Sequence, residues 1–392
     1  MPVDSIRPEL IDDMANLAGK ARDIGPLLEQ QATAMRAQRD IPQSTGRALS
    51  EAGLFRIYQP SRWGGYQASP LAFFDVQSTV AEFCVSSAWV QGVLAVQSLL
   101  LARFDEQAQA DVWRDDPMAV VCSGIQPSGR LEPVEGGYRL SGRWSFSSGS
   151  SLCRWAIVGA MTPPSGDRPP EFMLVLVPQA DYRIEDVWHV FGLQGTGSND
   201  LIVEGAFIPA YRSIPAAPGI VNQVRTDVEP LYRLPWLPLF GLATAGLAIG
   251  AAKTALREFL AVSRQRVAGM SGQPAKDNAQ VLDVAGRLRV EIDATELLFR
   301  RNLGWMMDHA EDNIAMDPED ALLRRAQQMS AVRKIASIIE EATMLMGARG
   351  ARTDNRVTQI WLDLAAARMH VGNDPTGALN LLGSTMMTGP SA

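Results

Sequence analysis

The chain has 392 residues, of which 46% are hydrophobic and 20% charged, and a formal net charge of −7. That length allows two or three domains with sizeable cores, and the composition is that of an ordinary globular protein. With 43 acidic residues against 36 basic ones, there is no electrostatic footprint for nucleic acid or an anionic membrane. The opening MPVDSIRPELIDDMANLAGK lacks an apolar core followed by a small-residue cleavage site, so the expected location is the cytoplasm. No apolar run is expected to span a bilayer; the richest, Leu237 to Leu256, is full of Gly and Ala and carries Lys253.

In chain order, the stretch from about Ile6 to Phe104 is helical. Leu10, Met14, Leu17, Ala21, Ile24, Leu27 and Leu28 recur at three- and four-residue steps. Tyr58 to Tyr66 interrupts this pattern, which resumes through Phe73, Val76, Val80 and Phe83 and again from Trp89 to Phe104. Near Pro117 the character changes. Met118 to Ser123 reads as a strand, Gly136-Gly137 as a hairpin turn, and further strands follow at Trp155 to Val158 and Phe172 to Pro178.

The segment FGLQGTGSND, Phe191 to Asp200, resembles a glycine-rich phosphate loop, but its third glycine position is Asp200. The following Leu201 to Pro209 is strand-like rather than helical, so it is not a dinucleotide fingerprint. From about Leu237 the chain is helical again. A Gly/Ala-rich stretch would let another helix approach closely, two long helices cover Val284 to Met307 and Leu322 to Met346, and a last one runs from Val357 to Val371 before Gly372 and Pro375. The expected class is α+β, with an N-terminal helical domain (1–117), a central β domain (118–215) and a C-terminal helical bundle (216–392).

Cys84, Cys122 and Cys153 have neither disulfide nor zinc spacing and read as buried thiols. Only His189, His309 and His370 can supply imidazole, and no metal-binding spacing is present. His309, among Asp308, Glu311 and Asp312, reads as part of a solvated helix face, and His189 receives no proton-transfer role.

The order helices–strands–helices, with FRIYQPSRWGG (55–65), GRWSFSSGSSLCRW (142–155), FGLQGTGSND and WLDLAAARMHVGNDP (361–375), resembles the acyl-CoA dehydrogenase fold. Within it, the chain is similar to the oxygenase components of two-component, reduced-flavin-dependent monooxygenases. It looks most like those that hydroxylate a secosteroid phenol and 4-hydroxyphenylacetate. The resemblance implies reduced FMN or FAD made by a separate NAD(P)H-dependent flavin reductase, O2 as co-substrate, a flavin C4a-hydroperoxide, ortho hydroxylation of a small aromatic substrate, and a homotetramer. Sulfur-, nitrogen- or indole-oxidising relatives and a true dehydrogenase are the alternatives. The glutamate base of the dehydrogenases falls near Val371, where no carboxylate stands.

The resemblance assigns His370 to the phenol. At a helix C-terminus an imidazole would favour the cation, and it would accept the phenolic proton. It places Ser148 at flavin N5, with Ser147 or Ser150 as neighbours in register, and packs Phe146 on the ring; a serine hydroxyl can donate one hydrogen bond and accept two. Ser123, Thr196, Gly197, Ser198 and Asn199 complete the expected flavin contacts, and Trp89, Trp236 and Phe240 the expected substrate walls. One departure is Leu362, where the family commonly has arginine. Arg349, Arg352, Arg356 and Arg368 are the nearby cations.

Overall fold

The computed structural model describes residues 16–166, 168–216, 228–267 and 272–388; the expected apolar positions Leu10 and Met14 lie outside them. The chain begins with α1 (Leu17–Asp23), α2 (Gly25–Gln38) and α3 (Gln43–Glu51). The break at 58–66 holds a single 3-10 turn, Ser61–Trp63. Helix α4 (Pro70–Phe83) starts where Ser69 Oγ accepts the Ala72 N–H at 3.3 Å and Pro70 presets the first turn. Helices α5 (Val85–Ala95) and α6 (Gln97–Leu101) bury every residue, which places them at the centre of the molecule. A further helix, α7 (Glu106–Trp113), is capped by Asp105.

Seven strands follow: β1 (Val121–Val134), β2 (Gly137–Ser147), β3 (Trp155–Met161), β4 (Phe172–Pro178), β5 (Arg183–Glu185), β6 (Asn199–Pro209) and β7 (Ser213–Pro215). Their order is β5-β6-β2-β1-β3-β4-β7, and β1 and β3 are the parallel pair. The β1–β2 hairpin turns at Glu135-Gly136, with Gly136 at φ 78°. Strand β1 begins later and runs much further than the expected Met118–Ser123 strand, so Ser123 lies inside it rather than at its end. Pro127 and the glycines on either side of it do not end the strand. The strand instead passes through an irregularity between Gly124 and Gly129. A Cβ on either glycine would come within 2.5 Å of the buried Trp144 side chain, so this kink makes room for the indole.

The glycine-rich segment is a 3-10 turn, Gln194–Thr196, flanked by Leu193 and Gly197 in the left-handed region. Strand β6 follows it, as the residue pattern requires. Asp200, which breaks the dinucleotide motif, is buried and accepts Arg143 Nε at 2.6 Å.

The remaining helices are α8 (Pro230–Arg233), α9 (Trp236–Ala245), α10 (Leu247–Gln265), α11 (Ala279–Glu311), α12 (Pro318–Leu345), α13 (Arg356–Ala367) and α14 (Thr376–Thr388). Asn278 and Asp317 cap α11 and α12, extending both beyond their expected starts. Trp236–Gln265 is longer and more apolar than the sequence reading allowed, enough to cross a membrane by length and composition alone. It is mostly buried inside the bundle. A Cβ on Gly250 would sit 1.8 Å from the Ser78 carbonyl, so the small-residue face of α10 lies directly against α4. Helix α13 stops at Ala367, four residues before the expected end. Asn373, fully buried, donates to the carbonyls of Ala367 (3.0 Å) and Thr244 (2.8 Å) and draws the chain into a 3-10 turn at Val371–Asn373. All three cysteines are buried free thiols.

Candidate active site

A cavity of about 1020 Å³ runs from α5 and the ends of β1, β2 and β6 into the space between α9, α11 and α12. Ser123, Phe146, Ser148, Ser198, Trp89, Phe240 and His370, all expected from sequence, line it. None of the described lining residues is a carboxylate.

At the sheet end, hydroxyl groups form a chain whose direction can be worked out. Trp89 Nε1–H donates to Ser148 Oγ at 3.0 Å. Ser148 Oγ lies 2.7 Å from Ser198 Oγ, which is 2.7 Å from Thr196 Oγ1, and Thr196 donates to the Leu193 carbonyl at 2.9 Å. Each hydroxyl has one proton. Thr196 gives its proton to the carbonyl, so it accepts from Ser198, which in turn accepts from Ser148. Ser148 therefore has its proton committed and one lone pair left for the cavity. Leu193, the terminus of the chain, is held by Asp363, whose Oδ1 accepts its N–H at 2.6 Å. Burial raises the Asp363 carboxyl to about 6, with the Leu193 bond opposing the shift.

His370 faces the same cavity from the other side. Its ring meets the edge of Trp89 at 5.4 Å and Phe240 at 5.6 Å. It does not close a helix as a cation. It precedes the 371–373 turn, and its Nδ1 accepts the Gly372 N–H at 2.9 Å. Burial lowers its pKa to about 4. The ring is therefore neutral near pH 7, with its proton on Nε2. This corrects the expectation of a dipole-favoured cation: a neutral Nε2–H is left as the donor, because the lone pair of Nδ1 is already used.

Several expected contacts stand behind the cavity wall rather than on it. Asn199 Oδ1 accepts the N–H groups of Val187 (3.1 Å) and Trp188 (3.2 Å), so it fixes that loop and does not face the cavity. Thr196 supports the wall through Ser198, and a Cβ on Gly197 would fall 2.0 Å from Asp40 Oδ1, so Gly197 is there for close packing. Trp236 is fully buried and stacks behind Phe240 at 4.7 Å; it holds the substrate wall without lining it. Ser147 and Ser150 are buried, with hydroxyls that have no hydrogen-bond partner. Phe146 is 66% exposed at φ 70°, an uncommon backbone conformation for an aromatic residue. It meets Trp188 edge-on at 6.4 Å.

Trp188, Trp305, Arg324, Arg325 and Gln328 also line the cavity and were not singled out in the sequence. His309, half-buried beside the exposed Asp308 and Glu311, also packs on Trp305 at 4.4 Å. His189 accepts from Arg39 at 2.9 Å and, unlike its neighbours Trp188 and Val190, does not line the cavity.

Leu362 lines a second cavity with Arg36, Arg356 and Asp363. Of the four cations suggested to compensate for it, Arg356 lines that cavity and pairs with Glu29. Arg352 pairs with Asp354 and Arg368 with Glu340. Arg36, not among them, is the other cation there.

Residues 242–375 match the family model for the acyl-CoA dehydrogenase C-terminal domain. Over 370 residues the chain is 33% identical to the flavin-dependent monooxygenase oxygenase subunit HsaA of Rhodococcus jostii (strain RHA1), covering 92% of this chain and 95% of that one. The chain belongs to the oxygenase components of flavin-dependent monooxygenases. The oxygenase is also 30% identical to the oxygenase component of the FADH(2)-dependent resorcinol hydroxylase of Rhizobium sp. (strain MTP-10005), over 95% of its own length and 94% of the relative's. Its fold superposes on XiaF from Streptomyces sp., solved with FADH2 and glycerol, with a TM-score of 0.91, 25% identity and coverage of 99% and 100%. It is an α+β enzyme of the acyl-CoA dehydrogenase fold. The free lone pair of Ser148 and the exposed Phe146, both on the cavity lining, suit a flavin edge; Ser147 and Ser150, fully buried, do not reach it.

Proposed function

We propose that this oxygenase hydroxylates a phenol at the carbon ortho to its oxygen, using O2 and reduced FMN or FAD delivered in the cytoplasm by a separate NAD(P)H-dependent reductase. The observation that carries this reading is the pairing of Ser148 and His370 across Trp89 in one cavity without a carboxylate. Lacking a carboxylate, the cavity has no base for the α-proton of a thioester, which disfavours the dehydrogenase alternative.

When bound, reduced flavin supplies an electrophilic oxygen derived from O2. Ser148, Ser123 and Phe146 are the residues that would hold its ring, Ser148 offering its remaining lone pair to a ring N–H. Ser198 and Thr196 orient that lone pair by taking up the Ser148 proton. His370 Nε2–H donates to the phenol oxygen and favours the phenolate, the electron-rich form, and the phenolic proton is given up to bulk water as the substrate enters, before the ring reaches the closed end. Trp89, Phe240 and Trp188 exclude water from the reacting end. Exposed Leu282, Val290 and Leu297 on α11 form an apolar stripe that supports assembly as a homotetramer.

Stopped-flow mixing of the protein with reduced flavin and O2 tests the reading. An oxygen-dependent transient in flavin absorbance, followed by catechol formation with a phenol, is expected. A protein that purifies with tightly held yellow flavin and passes electrons to an acceptor without forming catechol contradicts it.

A further inference from the structure

The cavity extends well past the site of chemistry. Gln328 Nε2 lies 3.7 Å from where a Cβ of Gly241 would stand, and Gly241 follows Phe240, the ring that faces His370. On α12 the lining residues are Ala321, Leu322, Arg324, Arg325, Gln328 and Met329, whose spacing puts them on one side of the helix. Arg325 is one turn from Gln328, about 4.5 Å further along the axis. The cavity thus has a reactive end at His370 and a cationic end at Arg324 and Arg325.

The two arginines differ. The Arg324 guanidinium lies 3.8 Å over the Trp305 ring, and its Nη1 donates to Asp320 Oδ1 at 2.8 Å, so its charge is balanced. Arg325 is half-buried and has no ion-pair partner among the described residues. With no carboxylate on the described lining, the cavity carries one uncompensated positive charge. Taking a cation partly out of water without a partner is unfavourable, and a guanidinium recognises carboxylates by paired, charge-assisted hydrogen bonds.

We propose that this end of the cavity is an anion subsite, and that the substrate is a phenol carrying a carboxylate on an apolar spacer, with the carboxylate held by Arg325 and Gln328. A single net positive charge matches a carboxylate better than a phosphate dianion. Leu303, Met306 and Met329 provide the apolar passage for the spacer. Only the placement of the ring end rests on the phenol-hydroxylase reading.

Anaerobic titration of the protein charged with reduced FMN, followed by tryptophan fluorescence, measures affinity without turnover. The probes are 4-hydroxyphenyl alkanoic acids of increasing chain length and their primary amides. At the best length the acid binds about 10- to 100-fold more tightly than its amide. Arg325→Met removes that preference and leaves amide and reduced-FMN affinity unchanged, while Arg325→Lys keeps part of it. Equal binding of acid and amide by the wild type overturns the proposal. So does an Arg325→Met loss that falls on reduced FMN but not on reduced riboflavin, because Arg325 would then be holding the flavin phosphate. Turnover of the same probes with O2 scores the ring chemistry separately. Acids that bind in this pattern but yield no catechol contradict the phenol reading and leave the anion subsite standing.

Discussion

Replacing His370 by glutamine tests the protonation state at the centre of the site. In the folded protein its pKa falls from 6.5 to about 4 because the ring is buried. At 1.36 kcal/mol per tenfold change, this is about 3 kcal/mol of linkage to folding. Because the folded value lies below the unfolded one, the unfolded chain binds more protons between these pH values. Stability is therefore fully present above pH 6.5 and is lost progressively as pH falls towards 4. Asp363 works in the opposite direction: its carboxyl is raised from 3.8 to about 6, so its contribution is present at low pH and fades as pH rises through 6. In the wild type the two slopes largely offset each other, and the total pH dependence conceals both. Subtracting the urea-unfolding free energies of His370→Gln from those of the wild type isolates the histidine. The difference should shift by about 3 kcal/mol against the wild type between pH 7 and pH 4. Parallel stability curves over that range would refute the buried neutral imidazole. The same assignment requires kcat/KM to show no acid limb near 6.5 belonging to His370. Such a limb, present in the wild type and absent in the variant, would restore the general-base role.

Other outcomes follow from single contacts. Ser148→Ala removes the acceptor of the Trp89 N–H and the group proposed to face the flavin, and should shorten the oxygen-dependent flavin transient by about 10- to 100-fold in stopped flow; an unchanged lifetime would remove Ser148 from the site. Asn373→Ala deletes the two donors that form the turn after His370, which should cost about 2 to 4 kcal/mol in denaturant unfolding and lower kcat more than it raises KM. Gly250→Ala places a methyl where the Ser78 carbonyl already lies, and should destabilise the protein by about 1 to 3 kcal/mol by thermal unfolding, with little change in flavin binding.

The sequence carried the reactive end of the cavity better than the selective end. Ser148, Phe146 and His370 stand in short segments where residue order and local structure are tightly linked, and all three line the cavity. The strand after Gly197 could be read from its β-branched residues. Asn199 looked like a ligand-binding amide because nothing local reveals that Val187 and Trp188, on a different loop, take up its carbonyl. The tautomer of His370 was hidden for a similar reason: it depends on the direction of the Gly372 N–H, which the early end of α13 sets and helical periodicity does not reveal. Arg324, Arg325 and Gln328 read as ordinary polar positions of an amphipathic helix. Only the packing of α9, α11 and α12 shows which side of that helix encloses space. Strand β1 ran on past Pro127 because the kink that accommodates it is stabilised by Trp144, a residue on the next strand.

The indole of Trp89 touches both residues of the proposed chemistry, with its N–H on Ser148 and its edge on His370. The residues that would choose among substrates lie elsewhere, along the inner faces of α11 and α12. In the proposed mechanism, a change of substrate requires resculpting only that remote passage and leaves the contacts of Trp89 with Ser148 and His370 as they are. Trp89 should therefore tolerate little variation among enzymes with quite different diets, and laboratory evolution for new substrates should draw its successful changes from the α12 face rather than from Trp89, Ser148 or His370.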